Sequence, residues 1–305
     1  MAIWAFSNNP RKEIDSERYY KSNGDGHLFS FSDNKDEDII LSLVIPCYNE
    51  TQRLKVMLLE AIEYLTTQTE NTDLQKKFEI IIVDDGSSDG TAEYALSLGD
   101  ELDLSLHQLK VVQLAKNRGK GGAVTHGIKY ASGSYVIFAD ADGASRFSDI
   151  SKLFKAMKRV DGNEPNKIPA VAIGSRAHMV NTDAVVKRAF IRNVLMYGFH
   201  TLVYVFGIRD IKDTQCGFKL FNKAATDLIF PHMHTEGWIF DLEVLMLAKR
   251  QNIHIDEVPI SWHEVDGSKM ELARDSVKMA IDLVVIRMAY ILGIYKVRKL
   301  KQKRL

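Results

Sequence analysis

Acidic side chains follow apolar runs at two places in this chain, and their positions are the first sign of chemistry. Asp84-Asp85-Gly86-Ser87-Ser88-Asp89-Gly90-Thr91 comes directly after the apolar residues 79–83, and Asp140-Ala141-Asp142-Gly143 after residues 134–139. Short apolar runs closed by Gly and Asp read as buried strands. Carboxylates at the ends of neighbouring strands converge on one edge of a sheet, where open α/β folds hold their ligands. Two adjacent acids repel each other unless a cation or a donor-rich ligand compensates them. Capping of the next helix accounts for Asp89 but not for Asp84, which ends the apolar run. One acid of this pair can accept from a base or ribose hydroxyl while the other lies near metal or phosphate. Asp140 and Asp142 suit one Mg²⁺ or Mn²⁺ shared with a diphosphate. Asp36-x-Asp38 has the same spacing inside a polar stretch, so the preceding strand, and not the spacing, singles out the second pair. An enzyme with a nucleotide-linked substrate is implied.

Other blocks add to this edge. In Pro46-Cys47-Tyr48-Asn49-Glu50 the proline stops a strand and turns the chain toward the ligand side; an ordinary strand-to-helix turn capped by Asn49 reads equally well. Asn117-Arg118-Gly119-Lys120-Gly121-Gly122 opens a helix, and glycines with two cations at a helix N-terminus favour a phosphate. The spacing is not that of a P-loop. Asp213-Thr214-Gln215-Cys216-Gly217-Phe218-Lys219 mixes acid, amide and Lys before a strand, and residues 236–243 start a helix with Asp241 and Glu243. Those two acids either stabilise the helix's positive end or serve an acceptor; periodicity leaves both open. His232-x-His234 lacks partners at zinc-like spacing and reads as surface or capping histidines.

The elements that must position these residues alternate. Strands are expected at 41–46, 79–84, 110–114 and 134–139, and helices at 52–68, 91–98 and 121–131. Such alternation predicts an α/β fold with a mostly parallel central sheet and helices on both faces. Farther on, a long apolar helix is expected at 184–206, a strand at 218–221, a helix at 240–251, a strand at 254–259 and a closing helix at 274–295. This divides the chain into an irregular leader (1–38), a catalytic domain (39–270) and a C-terminal amphipathic helix with a basic tail (271–305).

Bulk composition agrees. The chain's 305 residues are 46% hydrophobic, enough for one large α/β core. Lys+Arg and Asp+Glu are both 40, and a formal net charge of zero argues against a nucleic-acid binder. Residues 296–305 carry six cations and no acid, which suits a solvated end or an anionic lipid surface. The two cysteines, Cys47 and Cys216, do not make a disulfide framework, so a reducing compartment is expected. No uncharged run reaches the roughly 18–20 residues of a spanning helix.

Taken in order, these blocks resemble the family 2 glycosyltransferases of the GT-A nucleotide-sugar fold, and among them those that glucosylate dolichyl phosphate. Val44 to Glu50, Val83 to Ser87, Lys116 to Ala123, Ala139 to Ala144, Gly174-Ser175-Arg176-Ala177-His178, Asp213 to Phe221 and Glu264-Val265-Asp266-Gly267-Ser268-Lys269 carry the resemblance, over about residues 41–294. It implies UDP-glucose as donor, dolichyl phosphate as acceptor, and a place at the cytosolic face of the endoplasmic reticulum membrane. By position it makes Asp84 the uridine-binding acid, with Asp85 and Gly86 beside it, and Pro46, Tyr48, Glu50 and Gly121 further donor-side residues. Asp140 and Asp142 become the metal–diphosphate pair, Asp142 being catalytic. Arg118 and Lys120 become donor or phosphate contacts. Gln215, Lys219 and the catalytic Asp241 become acceptor-side residues, and Arg176 and Lys269 phosphate contacts. A dolichyl-phosphate mannosyltransferase using GDP-mannose shares both Asp signatures, and a non-catalytic nucleotide-sugar binder is the alternative of another class. The lipid acceptor makes residues 193–208 and 277–295, each flanked by cations, candidate interfacial segments. The family's amino-terminal anchor has no counterpart in the polar residues 1–38, which leaves a shortened start or peripheral attachment.

Overall fold

Strands of Val, Ile and Leu, apolar on both faces, need cover on both sides, and the architecture follows from that. The structure, a computed structural model, describes residues 7, 9–22, 27–32, 39–67, 77–162, 166–179, 208–267, 269 and 271–296. The strands are β1 (Tyr19–Lys21), β2 (Leu28–Ser30), β3 (Leu41–Cys47), β4 (Phe78–Asp84), β5 (Leu109–Gln113), β6 (Tyr135–Ala139), β7 (Ala170–Ser175), β8 (Phe218–Asn222) and β9 (His254–Pro259). They form one nine-stranded sheet in the order β2-β1-β5-β4-β3-β6-β8-β7-β9. The core run β5-β4-β3-β6 is parallel. Strand β8 runs antiparallel between β6 and β7, while β7 and β9 pair in parallel.

The described helices are α1 (Leu54–Thr67), α2 (Thr91–Glu101), α3 (Lys120–Lys129), α4 (Ile150–Asp161), α5 (Lys223–Ile229), α6 (Phe240–Arg250) and α7 (Leu272–Ile291). The period of two along β4 divides its side chains between two cores. Ile80 and Ile82 pack with Leu58 of α1, Leu98 of α2 and Phe154 of α4. Ile81 and Val83 pack with Val124 of α3, Phe240 of α6 and Leu283 of α7. The α/β sandwich expected from the alternation is therefore present.

Three features differ from the sequence expectation. The leader is not wholly irregular: a short 3₁₀ turn at Asp15–Arg18 leads into the antiparallel hairpin β1-β2, which joins the sheet through Lys21 opposite Val111 of β5. Three-residue strands are too short to show a period. Strand β7 was not expected, because its run Ala-Val-Ala-Ile-Gly-Ser is fully buried and shows no alternation. Helix α4 was also not expected, although Ile150, Leu153, Phe154 and Met157 make a buried face at helical spacing. The apolar stretch at 184–206 and the tail at 297–305 lie outside the described residues.

Candidate active site

The four parallel strands of the core end at one edge, and the segments at and after those ends build one wall of a cleft of about 660 Å³. Pro46 lies within β3, which runs one residue past it to Cys47 and does not stop at the proline; Tyr48 and Glu50 follow β3, Asp85 follows β4, Lys120 opens α3, and Asp140 and Asp142 follow β6; all line the cleft. Arg176, Gln215, Asp241 and Lys269 complete the far wall. Residues separated by more than 200 positions thus share one cavity, as the convergence argument requires.

On the first wall, Asp85 accepts from the Arg118 and Gly119 backbone N–H groups at 2.6 and 2.8 Å. Burial pushes its carboxyl up to about 7 in spite of those two donors. Asp84 sits behind it, buried, with one oxygen on the Ser87 N–H at 3.1 Å; of the two acids only Asp85 lines the cleft. Gly86 takes a left-handed conformation (φ 71°), and a Cβ there would come within 2.9 Å of the Asn117 backbone nitrogen. It shapes the turn and does not line the cavity.

At the centre, Lys120 Nζ lies 2.6 Å from Asp140 Oδ1. Burial works against the charge of Lys120, but Asp140, Asp241 and Asp142 outweigh it and raise its pKa. Burial, and then the neighbouring Asp140, raise the pKa of Asp142. Asp142 accepts from the Ala144 N–H at 3.0 Å and lies 3.8 Å from Arg53. Gly217 makes room for this pair: a Cβ there would fall 2.1 Å from an Asp140 carboxylate oxygen. Among the described residues no three His, Cys, Asp or Glu side chains group around a common metal position. Two neighbouring carboxylates nonetheless fit a Mg²⁺ or Mn²⁺ ion of the kind that takes its remaining ligands from phosphate and water.

On the far wall, Asp241 in the first turn of α6 is paired with the fully buried Lys219 of β8, whose Nζ also donates to the Cys216 carbonyl at 2.7 Å. Burial raises the pKa of Asp241 against the pull of Lys219 and Lys120. Lys219, expected to meet the acceptor, is buried behind Asp241 and does not line the cleft; its role is to fix that carboxylate. Arg176 is clamped by Asp213 through two hydrogen bonds of 2.7 and 2.9 Å and stacks over Trp262 at 5.4 Å. Burial opposes its charge, but Asp213 outweighs that and raises its pKa further.

Two more residues, besides Asp84, Gly86 and Lys219, sit elsewhere than the sequence suggested. Arg118 does not face the cleft: its guanidinium turns back onto Glu17 at 2.5 Å and onto the Arg11 and Lys12 carbonyls. A cation at a helix start looks the same in sequence whether it meets a ligand or the leader. Gly121 serves packing, since a Cβ there would come 2.4 Å from the Phe240 Cβ. Sequence reasoning also missed Arg53, which holds both Glu50 oxygens at 2.5 and 2.8 Å and reaches the Asp266 carbonyl at 3.3 Å. The Glu50-x-x-Arg53 spacing on one helical turn was the available signal. Trp238, also unassigned, lines the cleft with its ring 6.0 Å from Lys120 Nζ.

A comparison with known proteins meets this geometry. The profile described as Glycosyl transferase family 2 matches residues 42–229, which include every strand end of the first wall. The chain belongs to glycosyl transferase family 2. This transferase is 53% identical over 310 residues (98% of this chain, 91% of the relative) to a dolichyl-phosphate beta-glucosyltransferase of Saccharomyces cerevisiae. It is 40% identical over 262 residues (86% and 79%) to the human protein of that name. Among solved structures, glucosyl-3-phosphoglycerate synthase from Mycobacterium tuberculosis with Mg²⁺ and UDP superposes at a TM-score of 0.53, with 15% identity over 87% of this chain and 86% of that one. The Pyrobaculum calidifontis mannosyltransferase with GDP-Man and Mn²⁺ gives 0.50, with 15% identity over 87% and 68%. Both likenesses establish the GT-A-like fold of this transferase.

Proposed function

We propose that this transferase moves glucose from UDP-glucose to dolichyl phosphate with inversion, at the cytosolic face of the endoplasmic reticulum membrane. The observation that carries the reading is the gathering of Asp85, Asp140, Asp142 and Asp241 with Lys120, Arg176 and Lys269 around one cleft. The glucose and the dolichyl phosphate come from the names of relatives that align along nearly the whole chain.

In this reading Asp85 and its turn hold the nucleoside end of the donor. Asp140 and Asp142 would hold a Mg²⁺ or Mn²⁺ ion with the diphosphate, which supplies charge neutralisation as the nucleotide leaves. Lys120 adds a positive charge next to the same carboxylate. The acceptor phosphate has a second pKa of about 6, so it is already anionic at neutral pH and needs no strong protein base. Arg176, held flat by Asp213, and Lys269 orient that phosphate. Asp241, pinned by Lys219, positions the acceptor and balances the cations around it. Attack by the phosphate oxygen from the face opposite UDP turns the α-linked donor into a β-linked product.

Contact with the membrane follows from the acceptor's lipid tail. Helix α7 starts at the cleft, where Glu271, Arg274, Asp275 and Met279 line the wall. Val277, Ile281, Ile291 and Leu292 are large exposed apolar side chains on and just after this helix. Among the described residues no helix is long and apolar enough to cross a membrane, and α7 lying in the lipid interface is the proposed arrangement.

The test is a single assay of the purified chain with dolichyl phosphate, offering UDP-glucose against GDP-mannose. Transfer from UDP-glucose to a β-linked product is expected. Preference for GDP-mannose, or an α-linked product, contradicts the reading.

A further inference from the structure

The loop at 115–119 has two sides, and only one belongs to the cleft. On the cleft side the Arg118 and Gly119 N–H groups hold Asp85. On the other side the leader is tied to the same loop. Glu17, 2% exposed, accepts from the Ala115 N–H at 3.1 Å and from Arg118 Nη2 at 2.5 Å. Arg118 in turn donates to the Arg11 and Lys12 carbonyls at 3.0 and 3.1 Å. Arg11 donates to the Asn117 carbonyl at 2.8 Å and to Glu236 at 2.7 Å. Arg11, Lys12 and Arg118 line a separate cavity of about 590 Å³ and none of them lines the cleft.

Three of the five loop residues are therefore fixed from behind by residues that touch no substrate. The loop itself is a short connection held by Asp85 on its cleft side. It joins the end of β5 to the start of α3 and ends in Gly119, whose φ of 87° only glycine adopts readily. The buried Glu17 carboxylate accepts from the Ile14 and Ala115 N–H groups and from Arg118, which locks one geometry, and losing it leaves Arg118 with the more distant Glu236 carboxylate at 3.9 Å.

We propose that Glu17 and Arg11 are positioning residues for the nucleoside-diphosphate end of the cleft, acting through the Arg118–Gly119 amides on Asp85. The leader is in this sense a functional part of the donor site. The inference rests on the reading that the cleft takes a nucleoside diphosphate.

Two variants of the full chain test it, Glu17→Gln and Arg11→Met, the latter at a side chain 46% exposed and so tolerant of change. Hydrogen exchange of the amides at 115–119 is measured together with the UDP affinity in Mn²⁺ and the KM for dolichyl phosphate. Exchange in this loop is expected to quicken. UDP affinity is expected to fall by roughly tenfold in Glu17→Gln and less in Arg11→Met, the scale of one charge-assisted hydrogen bond. The KM for dolichyl phosphate should stay within about twofold, because the acceptor wall is untouched. Should Glu17→Gln fail to fold, Arg11→Met decides alone. Unchanged exchange at 115–119, or donor and acceptor constants that worsen together, overturns the proposal. A wild-type chain that binds no UDP overturns the functional reading and this inference with it. Wild-type binding matched by both variants overturns only the inference.

Discussion

Strand β4 carries an acid at each end, and the two ends do opposite things. Glu79, near the start, is 1% exposed and fully engaged: Lys110 at 2.5 Å, Ser42 at 2.5 Å, and the Ser132 amide and hydroxyl at 2.7 Å. It has donors on both oxygens and lines neither the cleft nor the cavity lined by Arg11 and Arg118. Asp85, just past the other end, also has two donors, but it faces an open cleft lined by six more carboxylates, those of Glu50, Asp140, Asp142, Asp241, Glu271 and Asp275. The same residue class is a structural tie near one end of the strand and a cleft-lining group just past the other. Burial alone does not separate them; the free space and the surplus of like charge do.

The largest effect expected from this contrast is on stability. Glu79→Ala leaves Lys110 as an uncompensated buried charge and should cost about 3–5 kcal/mol, read from denaturant unfolding. Turnover per folded molecule should be unchanged. A Glu79→Ala protein of wild-type stability would break the comparison.

A second effect concerns pH. The Asp85 carboxyl is held at about 7 by burial, so its charged form is present above that pH and is lost as pH falls through it. UDP affinity should decline on going from pH 8 to pH 6, by at most about tenfold per pH unit for a single proton. In Asp85→Asn this part of the dependence should vanish. A profile that is the same in both proteins removes Asp85 from the nucleotide site.

The smallest effect is expected at Asp241. General-base catalysis contributes roughly 10²–10⁴-fold, whereas a positioning carboxylate next to an already anionic acceptor contributes less. Asp241→Asn should retain more than about a tenth of the wild-type rate. A loss within or beyond the general-base range assigns Asp241 a proton-transfer role.

Much of this was legible in the sequence, for a physical reason. Asp84, Asp85, Asp140 and Asp142 stand out because they close apolar runs, and sheet topology brings the ends of such runs together; that Asp84 would end up buried behind Asp85 was not legible. Asp241 and Gln215 were readable through their blocks and the resemblance, and both line the cleft. Side-chain direction was not legible. Arg118 and Lys120, two residues apart at one helix start, point to the leader and to Asp140 respectively. Lys219 lies among the apolar Phe218, Leu220 and Phe221, a pattern that marks a buried cation needing a partner such as Asp241. The hairpin β1-β2 and the ties of Glu17 depend on contacts about a hundred residues away, which no local pattern carries.

The central claim is that the open end of the sheet, and not its closed end, holds a nucleotide sugar through the Asp140/Asp142 pair. Calorimetric titration of the purified chain with UDP-glucose, with and without Mn²⁺, tests it most directly when repeated on Asp142→Asn. The account expects binding that depends on the metal and weakens by about 10²-fold in the variant, the scale of losing one preorganised charged contact. Metal-independent binding that is equal in both proteins, or no binding at all, contradicts it.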